Sequence, residues 1–401
     1  MKTHIELDFL GQIYAYTMNK NHLGTFSISI HLKERIKPQI LQQAINDLMK
    51  RLPFLNGRLQ SDFLHEVLPD PPLIELENTS SPIFTDYYNK GTGHVLRVLY
   101  GEQYFRIEAT HTITDGRGLV KITSALLVRY FELMGVKVDK ENIIDCTDSI
   151  QPEEMENAYE RFANSKKADS KNKNPKITAY KHGHLRLSPT RVISKKFDLK
   201  KIKFNAETYN ITISEYILAH ILLAIAEERN ASGSKKPISV EVPIDNRSFF
   251  PSKTVRNFVG NKKIVMPETE NFSLMAQQIK SQFADIDVNF VQDTINEMQN
   301  AQKSLRLLPR IIQKFLIKMV SRQMTKTVTT MFSNLGLIRL PKEIEERIDM
   351  PEFLISPTEG LPYTFSCITL GNVLTLSITA NLEGNDIIEK VFKGLEEDNY
   401  K

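Results

Sequence analysis

A helix that is apolar around most of its circumference has to be covered on every side, and this sequence carries two such stretches. They are Leu119-Val-Lys-Ile-Thr-Ser-Ala-Leu-Leu-Val-Arg-Tyr-Phe-Glu-Leu-Met134 and Glu215-Tyr-Ile-Leu-Ala-His-Ile-Leu-Leu-Ala-Ile-Ala226. Each comes after β-rich segments. Before the first lie His94-Val-Leu-Arg-Val-Leu-Tyr100 and Tyr104-Phe-Arg-Ile-Glu-Ala-Thr110, joined by Gly101-Glu-Gln103 as a hairpin connection. Before the second lie a strand-like Arg191-Val-Ile-Ser-Lys-Lys-Phe197 and a helical run from Asp198 to Tyr209, with Ser214 as the expected helix start. The chain therefore reads as mixed α/β in both halves, and the repeated element order hints at an internal pseudo-repeat.

Other segments fit the same class. Thr25-Phe-Ser-Ile-Ser-Ile-His-Leu32 alternates apolar and polar residues, as a half-buried strand does, and Pro38 opens an amphipathic helix. Strand Ile238-Ser-Val-Glu-Val-Pro243 follows the second buried helix. Tyr363–Leu370 and Val373–Thr379 read as strands joined by Gly371-Asn372. At 401 residues the chain is long for a single core. Asn164-Ser-Lys-Lys-Ala-Asp-Ser-Lys-Asn-Lys-Asn-Pro175 has almost nothing to bury, so the expected division is an N-terminal lobe 1–163, a mobile basic linker 164–189 and a C-terminal lobe 190–401.

The net charge of +4 makes no general case for nucleic acid, and Cys146 and Cys367 are too few for a disulfide framework or a zinc site, which points to the cytoplasm. The N-terminus has acidic residues in its apolar stretch and does not read as a signal peptide. No window reaches the roughly 18 uninterrupted apolar residues of a spanning helix.

Chemistry enters at His111-Thr-Ile-Thr-Asp115-Gly116, where the strand ending at Thr110 turns into the first buried helix. A neutral imidazole with a pKa near about 6.5 accepts a proton from a hydroxyl or amine at neutral pH. Asp115 on the same turn fixes the backbone by pairing with a distant arginine. Gly116 is expected to supply backbone angles closed to other residues, and Gly118 room for a ligand. His and Asp four apart could share a metal on a helix, but this His lies at a strand end with no third ligand evident. Gly-x-Ser-x-Gly, Walker A and dinucleotide motifs are absent from the sequence.

The sequence at these residues resembles the superfamily of chloramphenicol acetyltransferase-like acyltransferases, which includes alcohol acetyltransferases, plant BAHD acyltransferases and the condensation domains of peptide synthetases. The resemblance rests on His111 to Gly116, on Arg51-Leu-Pro-Phe-Leu-Asn-Gly-Arg-Leu59, on Pro243-Ile-Asp-Asn-Arg247 with Asn257-Phe-Val-Gly-Asn261, and on Phe332-Ser-Asn-Leu-Gly336. The alcohol acetyltransferase-like branch is the nearest in order and spacing.

The resemblance implies two similar lobes meeting at a channel, with His111 as catalytic base at its middle and Asp115 and Gly116 as structural parts of the site. Arg247 is the implied partner of Asp115. Ser333, Asn334, Thr364 and Ser366 are the candidate oxyanion or channel-lining residues. It further implies acyl-CoA as donor co-substrate with no permanently bound cofactor, a small alcohol or amine acceptor, and a monomer. A carrier-bound donor and a non-catalytic binding protein are the rival readings.

Thr110 stands where peptide-synthetase condensation domains usually have a second histidine, and the chain has no Trp, so the late DFGWG of plant BAHD enzymes is missing. His182, His184 and His220 are read as surface or core residues. Lys166 to Lys181 is a solubilising linker or an attractor for coenzyme A phosphates. Arg310-Ile-Ile-Gln-Lys-Phe-Leu-Ile-Lys-Met-Val-Ser-Arg322 is a helix packed on the second lobe or one that makes peripheral contact with a membrane surface.

Overall fold

Two sheets organise the chain, and one strand changes sides. A computed structural model describes residues 5–19, 23–59, 66–69, 74–78, 94–164, 174–182, 187–267, 269, 271–358 and 360–397. The first sheet has the order Ile348–Ile355, Thr25–Leu32, Tyr104–Thr110, Leu96–Tyr100, Glu77–Asn78. The second has the order Val259–Val265, Ser239–Asp245, Thr330–Ile338, Tyr363–Leu370, Val373–Leu382, Leu187–Asp198. A small third sheet joins Ile5–Glu6, Glu66–Pro69 and Gly57–Leu59.

Ile348–Ile355 belongs by sequence to the segment 190–401, yet it pairs antiparallel with Thr25–Leu32, Phe353 opposite Ile28. The C-terminal segment therefore does not keep to one sheet. This also corrects the reading of Thr25–Leu32 as half-buried. It lies between two neighbours and is buried almost throughout, and one of its polar side chains is used internally: Ser29 accepts from Arg106 Nε at 2.9 Å and donates to Glu352 Oε2 at 3.2 Å.

The two apolar helices form the centre of the two larger cores; a small third gathers Tyr159, Phe258, Phe290 and Ile295. Helix Gly116–Leu133 packs with helix Pro38–Arg51 and the first sheet, around Ile122, Leu126, Tyr130 and Phe131. Helix Ile213–Ala231 packs with Leu199–Thr208, Phe272–Ala284 and Asp386–Glu397 over the second sheet. Its N-cap is Thr212 rather than Ser214: the Thr212 hydroxyl accepts from Glu215 N while the Glu215 carboxylate accepts from Thr212 N, a reciprocal arrangement that satisfies two otherwise orphaned donors. Gly371 takes the left-handed conformation, φ +55°, that the two-residue turn between Leu370 and Val373 requires.

Of the expected linker, residues 165–173 and 183–186, with His184 and most of the lysine cluster, lie outside the described residues. Residues 174–182 are hydrogen-bonded into the second half. Asn174 Nδ2 donates to Asn261 O, Ala179 N to Lys326 O and Tyr180 N to Pro237 O, while Lys181 Nζ donates to the carbonyls of Thr325, Val328 and Gly360. Helix Arg310–Lys326 packs against the N-terminal helix Phe9–Thr17, and its Ile317 joins the first core rather than the second. His182 and His220 are buried.

Candidate active site

The turn from strand Tyr104–Thr110 into helix Gly116–Leu133 is locked by its own polar groups. Asp115 caps the helix, its Oδ1 accepting from Gly118 N at 2.7 Å. Its Oδ2 accepts from Phe258 N at 2.6 Å and from Arg247 Nη1 at 3.0 Å, so a first-lobe carboxylate is satisfied by donors 143 and 132 residues away. Both side chains of this ion pair are almost fully buried. Arg247 in turn donates to Asp245 Oδ1 (2.9 Å), Thr254 O (3.2 Å) and Arg256 O (2.6 Å), which fastens the segment Thr254–Phe258 over the turn. Thr114 Oγ1 adds a bond to Val255 O at 2.6 Å.

The two glycines act differently from what their sequence suggests. Gly116 does not take a positive φ; a side chain there would press on Leu335, whose Cδ2 would stand 2.6 Å from a Cβ. Gly118 leaves room for protein, not for ligand: the backbone carbonyl of Val255 and the Thr114 hydroxyl occupy the space a Cβ would need. Gly11 makes the same concession to the Thr112 carbonyl, letting helix Phe9–Thr17 lie directly on the motif.

His111 is half-buried between the rings of Tyr14 and Phe26, with centroids 4.7 and 4.4 Å away. Burial lowers its pKa to about 4; the charge of Asp115 and hydrogen bonds with Asn257 and the Thr114 backbone oppose the shift but do not overcome it. The imidazole is therefore neutral at physiological pH.

Its orientation is set by residues that the sequence reading did not single out. Asn257 Nδ2 donates to His111 O at 2.8 Å and to both carboxylate oxygens of Asp8 at 3.2 Å. With the amide nitrogen so engaged, Asn257 Oδ1 faces His111 Nδ1 at 3.5 Å as an acceptor. Asp8 caps helix Phe9–Thr17 through Gly11 N and lies 3.6 Å from Arg256. The available signals were an acid three residues before a glycine at a helix start, and Asn257 inside the segment that carries the resemblance.

A cavity of about 190 Å³ opens beside the imidazole, with walls from both lobes. His111, Asp115, Gly116, Arg247, Ser333, Asn334 and Thr364 all border it, and Ser366 does not. Ser366 is fully buried and donates to Phe353 O, which removes it from the oxyanion candidates. Thr364 Oγ1 donates to Ile355 O at 2.8 Å. Asn334 Nδ2 donates to Ser214 Oγ at 3.0 Å and its Oδ1 accepts from Gly336 N. The Ser333 hydroxyl makes no hydrogen bond among the described residues.

Two mixed α/β lobes around a shared cavity are the fold seen in solved condensation domains and acetyltransferases. Solved structures of that fold match this chain almost end to end. Polyketide synthase associated protein 5 from Mycobacterium tuberculosis is 15% identical with a TM-score of 0.64, covering 97% of each chain. TRI101 of F. graminearum, solved with coenzyme A and T-2 mycotoxin, is 11% identical with a TM-score of 0.61, covering 96% of each chain. The first condensation domain of the CDA synthetase is 11% identical with a TM-score of 0.60, covering 98% of this chain and 95% of its own. No family model and no curated protein matches the sequence.

Proposed function

We propose that this protein transfers an acyl group from an acyl-CoA thioester to a hydroxyl or amine, with His111 as general base. The neutral imidazole on the wall of a cavity shared by both lobes carries this reading. With Nδ1–H directed to Asn257, the free lone pair is on Nε2. Nε2 takes the proton of the acceptor as its oxygen or nitrogen attacks the thioester carbonyl. The tetrahedral oxyanion accepts a hydrogen bond from Ser333, the candidate whose hydroxyl is not already committed. Collapse breaks the carbon–sulfur bond, and the departing thiolate takes the proton back from the imidazolium.

Asp115 moves no proton in this scheme. Its carboxylate is occupied by Gly118, Phe258 and Arg247, and its part is to hold the turn. The TRI101 structure with coenzyme A supports a free coenzyme donor, as does Thr110 in place of a second histidine.

Free-thiol release from a panel of acyl-CoA donors against pooled alcohols and amines tests the assignment. Purified, folded His111→Ala is expected to turn over about 100- to 10,000-fold more slowly than wild type, and Ser333→Ala about 100- to 1,000-fold. Retention of most of the turnover by His111→Ala removes the base assignment.

A further inference from the structure

The helix Arg310–Lys326 is built from rows that repeat every four residues, and one row is turned most fully to the protein. Gln313 and Ile317 are buried, with Ser321 and Thr325 half-buried behind them. On the opposite side the row Ile311, Phe315, Met319 points outward, with Ile311 82% and Phe315 66% exposed. Leu307, 86% exposed, extends this surface just before the helix. Flanking the apolar crest runs a row of cations, Arg310, Lys314, Lys318, Arg322 and Lys326, and no acid occurs anywhere from Leu307 to Lys326. Lys314, Lys318, Arg322 and Lys326 form no ion pair among the described residues, so their charge is available to a partner.

We propose that this helix docks the protein on an anionic lipid bilayer, the crest inserted among the acyl chains and the cationic row at the level of the headgroups. An apolar row flanked by lysine and arginine stems suits such an interface, because the stems cover apolar surface while the charges reach lipid phosphates. A second copy of this chain fits poorly, since the same face would set one row of cations against another.

The position relative to the cavity gives the docking a use. The helix packs on Phe9–Thr17, which contributes Leu10 and Tyr14 to the cavity wall. At its other end Thr325 touches Gly360, in the loop that contributes Thr358 and Leu361. The docked helix therefore adjoins two walls of the cavity, and the substrate this arrangement favours is an amphiphile drawn from the membrane.

The experiment uses the full chain with vesicles of phosphatidylcholine alone or with about a third phosphatidylserine. Flotation with the anionic vesicles is expected, and binding weakens about fivefold for each of Lys314→Gln and Lys318→Gln. The pair Ile311→Asp and Phe315→Asp, both at exposed positions, reduces binding by more than about a hundredfold and leaves turnover of a water-soluble acceptor unchanged. The chain has no Trp, so Phe315→Trp gives one emission signal, which shifts to the blue on adding anionic vesicles.

Docking does not depend on the chemistry assigned to His111, and His111→Ala floats as wild type does. Failure to bind any vesicle, binding indifferent to these substitutions, or an unshifted indole emission from the Phe315→Trp variant overturns the proposal. So does self-association abolished by the double aspartate variant, or binding to polyglutamate without binding to vesicles.

Discussion

Substituting Asp115 by Asn changes one oxygen to an amide nitrogen at a carboxylate that accepts three hydrogen bonds from two lobes. The amide keeps one acceptor. If its oxygen faces Phe258 and Arg247, its NH2 group meets Gly118 N–H and the cap is lost, at about 1 kcal/mol. The bond with Arg247 falls from a charge-assisted one to an ordinary one, a further 1 to 1.5 kcal/mol or so. The expected loss is about 2 to 2.5 kcal/mol.

Arg247→Ala removes four acceptor contacts and leaves Asp115 with its two backbone donors, for about 3 to 5 kcal/mol. The Asp115–Arg247 bond is counted in both single variants and only once in the double variant. The double loss should therefore fall short of the sum by about 1 to 1.5 kcal/mol. Equilibrium urea unfolding followed by far-ultraviolet circular dichroism measures all four corners of the cycle. Losses that add within about 0.5 kcal/mol would refute the coupling of the two lobes through this pair.

Two further outcomes are expected. Because burial lowers the His111 pKa from 6.5 to about 4, the unfolded chain binds a proton in that window that the folded chain does not. Its contribution to stability is constant above the unfolded value and declines as the pH drops toward 4. The kcat/KM profile should accordingly stay level from about pH 8 to about pH 5 and bend near 4; an inflection near 6.5 would mean that the ring is not desolvated. Gly118→Ala should destabilise the protein by about 1 to 3 kcal/mol, since the colliding Val255 carbonyl is backbone held by Thr114, and an unfolding midpoint equal to that of wild type would exclude the close approach.

The sequence made the motif legible because period-two alternation gives way to helical spacing at His111, where Thr110 ends a strand and Gly116 opens a helix. The two apolar helices likewise announced two cores. What misled the reading were features whose meaning depends on a distant partner. Ser27 and Ser29 look like a solvent face, but both are buried, and Ser29 is bonded to Arg106 and to Glu352, the latter on a strand more than three hundred residues later. Gly116 and Gly118 look like backbone devices, and their smallness answers Leu335 and Val255 across the lobe boundary. No local pattern links Arg247 to Asp115; the resemblance alone pairs them in the sequence. Asp8 and Asn257 share no local pattern and meet only because the N-terminal helix is laid on the motif, with Gly11 against Thr112.

The strand exchange at Ile348–Ile355 also bears on the order of assembly during synthesis. Ser29 and Glu352, hydrogen-bonded neighbours, are 323 positions apart, so the edge at Thr25–Leu32 has no permanent cover until nearly all of the chain has left the ribosome. Loop closure over that separation is slow, and an open edge is a template for pairing with other chains. An N-terminal fragment that ends ahead of residue 348 therefore lacks one of the two partner strands of Thr25–Leu32. Such a truncation exposes the edge that the finished protein hides.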